Sequence, residues 1–214
     1  MTEPCFPQPD AAYPSDCEIR EGYRSLARQN PEHGKPALDR QVILEKARNI
    51  KILLLDVDGV LTDGTLLYSA SGEESKSFHT QDGFGLRLLQ EAGIGTGLIT
   101  ARSSEAVARR GRELKMRYVY QGASNKLLAF QEIMQDSGNR PFEIAYMGDD
   151  WLDLVLLSRA GLALAPANGV RAVKETAHYV TCQPGGQGAV REVCDLILES
   201  KGLLAEFQQK YLNR

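Results

Sequence analysis

The stretch KILLLDVDGVLTDG, residues 51–64, decides how the rest of the chain is read. Its first half, Ile52-Leu53-Leu54-Leu55, is apolar at every position. A strand with one wet face would alternate, so an unbroken apolar run predicts a strand buried on both faces, as in a parallel sheet covered by helices. The run stops at Asp56, and Asp58 and Asp63 follow among glycine and threonine. Burying carboxylates beside such a strand is costly unless something pairs with them. Asp56 and Asp58 therefore stand at the strand's exposed end or are held there by a cation.

Downstream, apolar β-rich runs (IGTGLIT, MRYVYQG, EIAYMGDD, GLALAPANG, HYVTCQ) alternate with helical stretches (GFGLRLLQEAG, SSEAVARRGRELK, SNKLLAFQEIMQDSG, WLDLVLLSRAG, GVRAVKETA, GAVREVCDLILES). That alternation predicts βαβ units and an α/β fold: a doubly wound, mostly parallel, Rossmann-like sheet. The stretch TLLYSASGEESKSFHTQDG, residues 65–83, breaks the rhythm with two short strand-like runs around SASGEE, and predicts a small β-hairpin flap. Residues 1–36 are rich in proline and polar residues, and predict a weakly ordered extension with a short helix at EIREGYRSLARQ. The folded domain is expected over 37–214.

In a doubly wound sheet, ligands bind outside the carboxyl ends of the strands. The first strand ends at Asp56-Val57-Asp58, with Asp56 and Asp58 on one side by alternation. The second ends at Thr100-Ala101-Arg102, the third precedes Gly122 and Lys126, and the fourth ends at Gly148-Asp149-Asp150, with Asp153 close behind. A lone DxDG, a strand threonine or a helix lysine is weak evidence; their convergence in this order is the signal. Clustered carboxylates ordinarily hold hydrated Mg²⁺, which also binds substrate phosphate. A carboxylate can attack phosphorus to give an aspartyl-phosphate, and a second can act as acid and then base. Lysine and threonine suit the oxygens of a transferring phosphoryl group.

The chain has 214 residues, 43% hydrophobic and 25% charged, with net charge −3. Sequence-independent attraction to nucleic acid or to an anionic membrane is not expected, and no apolar run is long enough to span a bilayer. Cys5, Cys17, Cys182 and Cys194 form no CxxC pair, which points away from zinc and disulfides and toward a reducing cytoplasm. His79 and His178 lack a partner at metal-ligand spacing. QPGGQG, residues 183–188, reads as a turn, or as a glycine-rich loop able to receive an anion.

DVDGVLTDG, LITAR, Lys126 and GDDWLD resemble the four motifs of the haloacid dehalogenase-like phosphatases. The resemblance implies Asp56 as nucleophile and Asp58 as acid/base, with Thr100 and Lys126 on the phosphoryl group. It implies Mg²⁺ held by Asp56, the Asp58 backbone carbonyl and Asp149, supported by Asp150 and Asp153. The gaps between motifs leave no room for a cap domain. Within that superfamily, GEE, KSF, DGFG, VYQGASNKLLAF and GGQGAVREVCDLIL resemble the 3-deoxy-D-manno-octulosonate 8-phosphate phosphatases. That finer resemblance implies a sugar-acid phosphate substrate in lipopolysaccharide precursor synthesis. It also implies a homotetramer whose hairpin and C-terminal segment complete neighbouring sites. By resemblance the substrate groove comprises Asp58, His79, Thr80, Gln81, Asp82, Gly83, Arg87, Arg102, Arg110 and Lys126. Phosphatases of other 2-keto-3-deoxy sugar acids, such as a neuraminate 9-phosphate, remain the alternative, as does a non-catalytic binding module on the same fold.

Overall fold

The structure is a computed structural model that describes residues 38–70, 72 and 74–213. The extension expected over 1–36, with its short helix, lies outside the described residues.

Helix α1 (Arg40–Arg48) opens on Asp39, whose side chain accepts from the Gln41 amide at 2.7 Å, and leads into β1 (Ile52–Leu55). A hairpin follows, β2 (Leu67–Tyr68) and β3 (Glu74–Ser75), paired Leu67↔Ser75 and Tyr68↔Glu74. Next come α2 (Thr80–Glu91), β4 (Gly95–Ile99), α3 (Glu105–Glu113), β5 (Tyr118–Tyr120) and α4 (Lys126–Ser137). The chain continues through β6 (Ile144–Met147), a 3₁₀ turn at Trp151–Asp153, α5 (Leu154–Leu157), β7 (Leu162–Ala165), α6 (Arg171–Thr176), β8 (Tyr179–Val180), α7 (Ala189–Ser200) and α8 (Leu204–Leu212).

Six parallel strands form one sheet in the order β5-β4-β1-β6-β7-β8. Strand alternation explains how β1 is buried on both faces. Leu53 and Leu55 join a core with Leu86, Leu89, Val193 and Ile197, whereas Ile52 and Leu54 join a second core with Phe130, Ile133, Tyr146 and Val173. Helices α1, α2, α3 and α7 thus cover one face, and α4, α5 and α6 the other.

Between β1 and β4 stand only the hairpin and α2, and between Lys126 and Asp149 only α4, a 3₁₀ turn and β6, so no cap domain occurs among the described residues. The hairpin is shorter than the 65–83 expected. Thr80, Gln81, Asp82 and Gly83 form the first turn of α2, with His79 as its N-cap residue. Helix α8 had no counterpart in the sequence analysis; its Leu204 and Phe207 pack on the first core, and Tyr211 meets Phe84 edge-on with ring centroids 5.3 Å apart.

Candidate active site

Strand register assembles the site. Leu55 pairs with Leu98 on one side and Met147 on the other, so β1, β4 and β6 end side by side. The Asp56 amide donates to the Met147 carbonyl at 2.9 Å, and Thr100, only 3% exposed, donates its amide to Tyr120 at 2.9 Å. Lys126 opens α4, which Asn125 caps by accepting from the Leu127 amide at 3.1 Å. This start aims the Lys126 ammonium group into the acidic cluster. Its Nζ stands 3.0 Å from Asp56 Oδ1, 2.6 Å from Asp153 Oδ1 and 3.3 Å from the Tyr146 hydroxyl.

Asp153 has no solvent exposure, and both of its oxygens are engaged. Oδ1 takes Lys126 and the Tyr146 hydroxyl, the latter at 2.6 Å, and Oδ2 takes the amides of Asp149 at 2.9 Å and Asp150 at 3.2 Å. It therefore orients the GDD loop and the lysine together. The ligand atoms of Asp56, Asp149 and Asp153 all lie within 4.8 Å of one another. Asp150 is exposed and accepts from the Trp151 amide at 2.7 Å, and Trp151 itself is 71% exposed on the rim.

The electrostatics of this cluster favour a cation. Burial, then repulsion from Asp153, pushes the Asp56 carboxyl up to about 7 against the pull of Lys126. Burial, then repulsion from Asp153, Asp56 and Asp150, lifts Asp149 to about 7. Burial alone would lower the Lys126 ammonium group, but Asp56 and Asp153 outweigh it and leave it raised. Carboxylates that resist ionisation beside one another need a charge between them. The donors are hard oxygens, which suits Mg²⁺, and with Asp153 saturated, Asp56 and Asp149 are the carboxylates with lone pairs to offer.

A second charged cluster meets Asp58. Lys76, one residue past β3 with a side chain only 1% exposed, contacts Asp58 Oδ1 and lies 2.7 Å from Glu74 Oε1. Arg102 Nε lies 3.5 Å from Asp58 Oδ2, and its Nη2 donates to Glu74 at 2.6 Å and to the Tyr68 hydroxyl at 3.0 Å. Hydrogen bonds from Lys76 and then Arg102 hold Glu74 below the usual carboxylate range. Lys76, Glu74, Tyr68 and Tyr146 were not among the residues singled out from sequence.

The expected substrate residues divide. Asp58, Arg102 and Lys126 converge. Asp82 does not join them: it is 1% exposed and its Oδ1 accepts from the Arg191 amide at 2.8 Å, binding α2 to the start of α7. Arg110 packs over Gly83, with its guanidinium 5.7 Å from the Phe78 ring centroid, 3.4 Å from the His79 carbonyl and 3.7 Å from Glu113. Among the described residues its ion-pair partner is Glu113 on its own helix, not the acidic cluster. Thr80, Gln81 and Arg87 are exposed on α2.

Residues 112–192, which include Lys126 and the GDD loop, match the family model of the haloacid dehalogenase-like hydrolases. The 3-deoxy-D-manno-octulosonate 8-phosphate phosphatase of Escherichia coli K12 is 42% identical over 164 residues, 77% of this chain and 87% of the relative. The enzyme of that name from Moraxella catarrhalis, solved with magnesium ion, phosphate ion and KDO, superposes with a TM-score of 0.78 at 40% identity, covering 79% of this chain and 97% of that one. The cobalt-bound deoxy-D-mannose-octulosonate 8-phosphate phosphatase of Haemophilus influenzae gives a TM-score of 0.75 at 38% identity, over 78% and 99% of the two chains. On its motifs, its fold and these relatives, the chain belongs to the haloacid dehalogenase-like hydrolases, in the family of the 3-deoxy-D-manno-octulosonate 8-phosphate phosphatases.

Proposed function

We propose that this chain is a Mg²⁺-dependent phosphatase that hydrolyses 3-deoxy-D-manno-octulosonate 8-phosphate to the free sugar acid and phosphate, in lipopolysaccharide precursor synthesis. The observation that carries the reading is the buried Lys126, 3.0 Å from Asp56 Oδ1, within a cluster where Asp56, Asp149 and Asp153 carboxylates lie within 4.8 Å. A lysine and a carboxylate so placed in the dry end of a sheet serve phosphoryl transfer and have no use in a binding module.

Asp56 attacks phosphorus through a carboxylate oxygen, forming an aspartyl-phosphate as the ester P–O bond breaks. Asp58 gives its proton to the departing sugar oxygen. It then takes a proton from the water that attacks the aspartyl-phosphate, which releases phosphate and restores Asp56. Lys126 Nζ and the Thr100 hydroxyl hold the non-bridging phosphoryl oxygens. Asp56, the Asp58 carbonyl and Asp149, with Asp150 and Asp153 in support, would hold Mg²⁺, which would supply positive charge against the phosphoryl group. Arg102 offers its guanidinium to the sugar carboxylate in exchange for Glu74, and the exposed Thr80, Gln81 and Arg87 shape the groove in the assembled protein.

We further propose that the catalytic unit is residues 37–214 and that it works in the cytoplasm as a homotetramer. Leu66, Leu67 and Tyr68 on the hairpin are 43%, 62% and 56% exposed, an apolar edge suited to a second copy where the described residues include no cap. A phosphate-release screen over sugar phosphates, with Mg²⁺ and with chelator, tests the activity. Metal-dependent release from the octulosonate 8-phosphate above all others is expected. Preference for a neuraminate-type 9-phosphate would assign the alternative sugar acid, and no release from any substrate would leave a binding module. Light scattering should give four chains per particle, and deletion of 1–36 should leave turnover intact.

A further inference from the structure

The glycine-rich loop before α7 has no part in the chemistry above, yet it lies hard against the catalytic turn. A Cβ on Gly185 would stand 1.8 Å from the Gly59 carbonyl oxygen, so the two backbones meet with no room for a side chain. Gly59, at φ +78°, also meets the GDD loop: a Cβ there would lie 2.0 Å from Asp149 Oδ2. The Gly186 amide donates to the Val60 carbonyl at 2.9 Å. One side chain ties these pieces together. Asn168, in the loop after β7, accepts from the Gly185 amide through Oδ1 at 2.7 Å and donates from Nδ2 toward the Gly59 carbonyl at 3.4 Å. Two residues on, the Val170 amide donates to the Asp149 carbonyl at 2.9 Å. The base of the glycine loop is fixed separately by Glu192, which accepts from the Cys182 amide at 3.0 Å, the Gln183 amide at 3.1 Å and the Tyr179 hydroxyl at 2.6 Å.

We propose that Asn168 and Gly185 are positioning residues that set the spacing between the Asp56–Asp58 turn and Asp149. A turn built on a left-handed glycine has little stiffness of its own. Phosphoryl transfer tolerates little error, since a misplacement of about 1 Å can cost roughly 10²-fold in rate. The glycine loop supplies a backstop with no side chain to yield, and Asn168 locks that backstop to the turn, while the Val170 amide of the same loop holds the GDD loop. Neither residue needs to touch the reacting atoms.

The inference rests on Asp56 being the nucleophile, so Asp56→Asn is measured beside Asn168→Ala, Asn168→Asp and Gly185→Ala in the full-length protein. Asn168→Ala should lower kcat about 10- to 30-fold while KM stays within about twofold, because orientation and not binding is lost. Inhibition by orthovanadate, a mimic of the transferring phosphoryl group, should weaken by the same factor, and the melting temperature should stay within about 2 °C. Asn168→Asp keeps the acceptor of the 2.7 Å bond but replaces the donor toward Gly59 with an oxygen, so it should recover only part of the loss. Gly185→Ala, whose new Cβ displaces the Gly59 carbonyl, should lose about 100-fold; if it does not fold, the Asn168 pair decides. Wild-type kcat in Asn168→Ala, or a loss that vanishes when scaled to folded protein, overturns the proposal. An active Asp56→Asn overturns the phosphatase reading beneath it instead.

Discussion

Lys126 and Lys76 both bring an ammonium group to a carboxylate of the DVDG turn, and their side chains are only 3% and 1% exposed. Their supports differ. Lys126 begins a 12-residue helix anchored by the fully buried Phe130 and Ile133. Lys76 follows a strand of two residues whose partner strand, Leu67–Tyr68, faces solvent. The partners differ too. Among the described residues Asp153, on which Lys126 rests, has no other cation, whereas Asp58 and Glu74 keep Arg102 if Lys76 is removed. One contact belongs to the scaffold. The other belongs to a short hairpin, and its loss leaves both Asp58 and Glu74 with a cation.

The most severe way to break the comparison is Lys126→Ala. It strips the cation from the fully buried Asp153 and from the nucleophile, so turnover should fall on the order of 10³-fold, with about 3–5 kcal/mol of stability lost. Urea unfolding and phosphate release check both, and a stable, active variant would show that the helix lysine is dispensable. Arg102→Ala comes next. It should weaken turnover of the sugar-acid phosphate by about 1.5–3 kcal/mol relative to a small aryl phosphate that has no carboxylate. Equal losses on the two substrates would remove Arg102 from the sugar site.

Lys76→Ala sharpens the contrast. With Arg102 remaining, kcat/KM should drop only about tenfold and stability by less than about 1 kcal/mol. A loss as deep as that of Lys126→Ala would make the hairpin part of the scaffold.

The smallest effect is on the metal-free protein. Asp56 and Asp149 titrate near 7 when folded, against an ordinary value of 3.8. Between those values the folded state holds more protons than the unfolded chain, so this pair's contribution to stability falls as pH rises from about 4 to 7. In chelator, Asp149→Asn should therefore raise the melting temperature at pH 8 by about 2 °C, and by less at pH 5. Scanning calorimetry at both pH values reads it, and a lower melting temperature at pH 8 would contradict the repulsion described above.

The scaffold half of this contrast was legible in the sequence, and the flap half was not. A four-residue apolar run without alternation, closed by aspartate and glycine, reads as a doubly covered strand, and the order of Asp56, Thr100, Lys126 and Asp149 follows from strand ends. Glu74 and Lys76 sit in the GEE and KSF motifs, but no periodicity ties Lys76 to Asp58, 18 positions away. Residues 80–83 read as the end of the hairpin, whereas they open α2, where Asp82 is bonded to the start of α7. Tyr146 looked like one more apolar strand residue, because its hydroxyl has meaning only once Lys126 and Asp153 are in place.

Trp151 gives the protein a built-in optical reporter. It is the chain's single tryptophan, it stands 71% exposed, and its amide is bonded to Asp150 at the mouth of the acidic loop. Charge neutralisation at Asp149 and Asp150 alters the field at the indole and so the brightness of its emission. Burial against a neighbouring copy would dry the ring and move the emission to shorter wavelength. Cation loading and subunit assembly thus write to different features of one unlabelled spectrum, and each can be followed in the same cuvette.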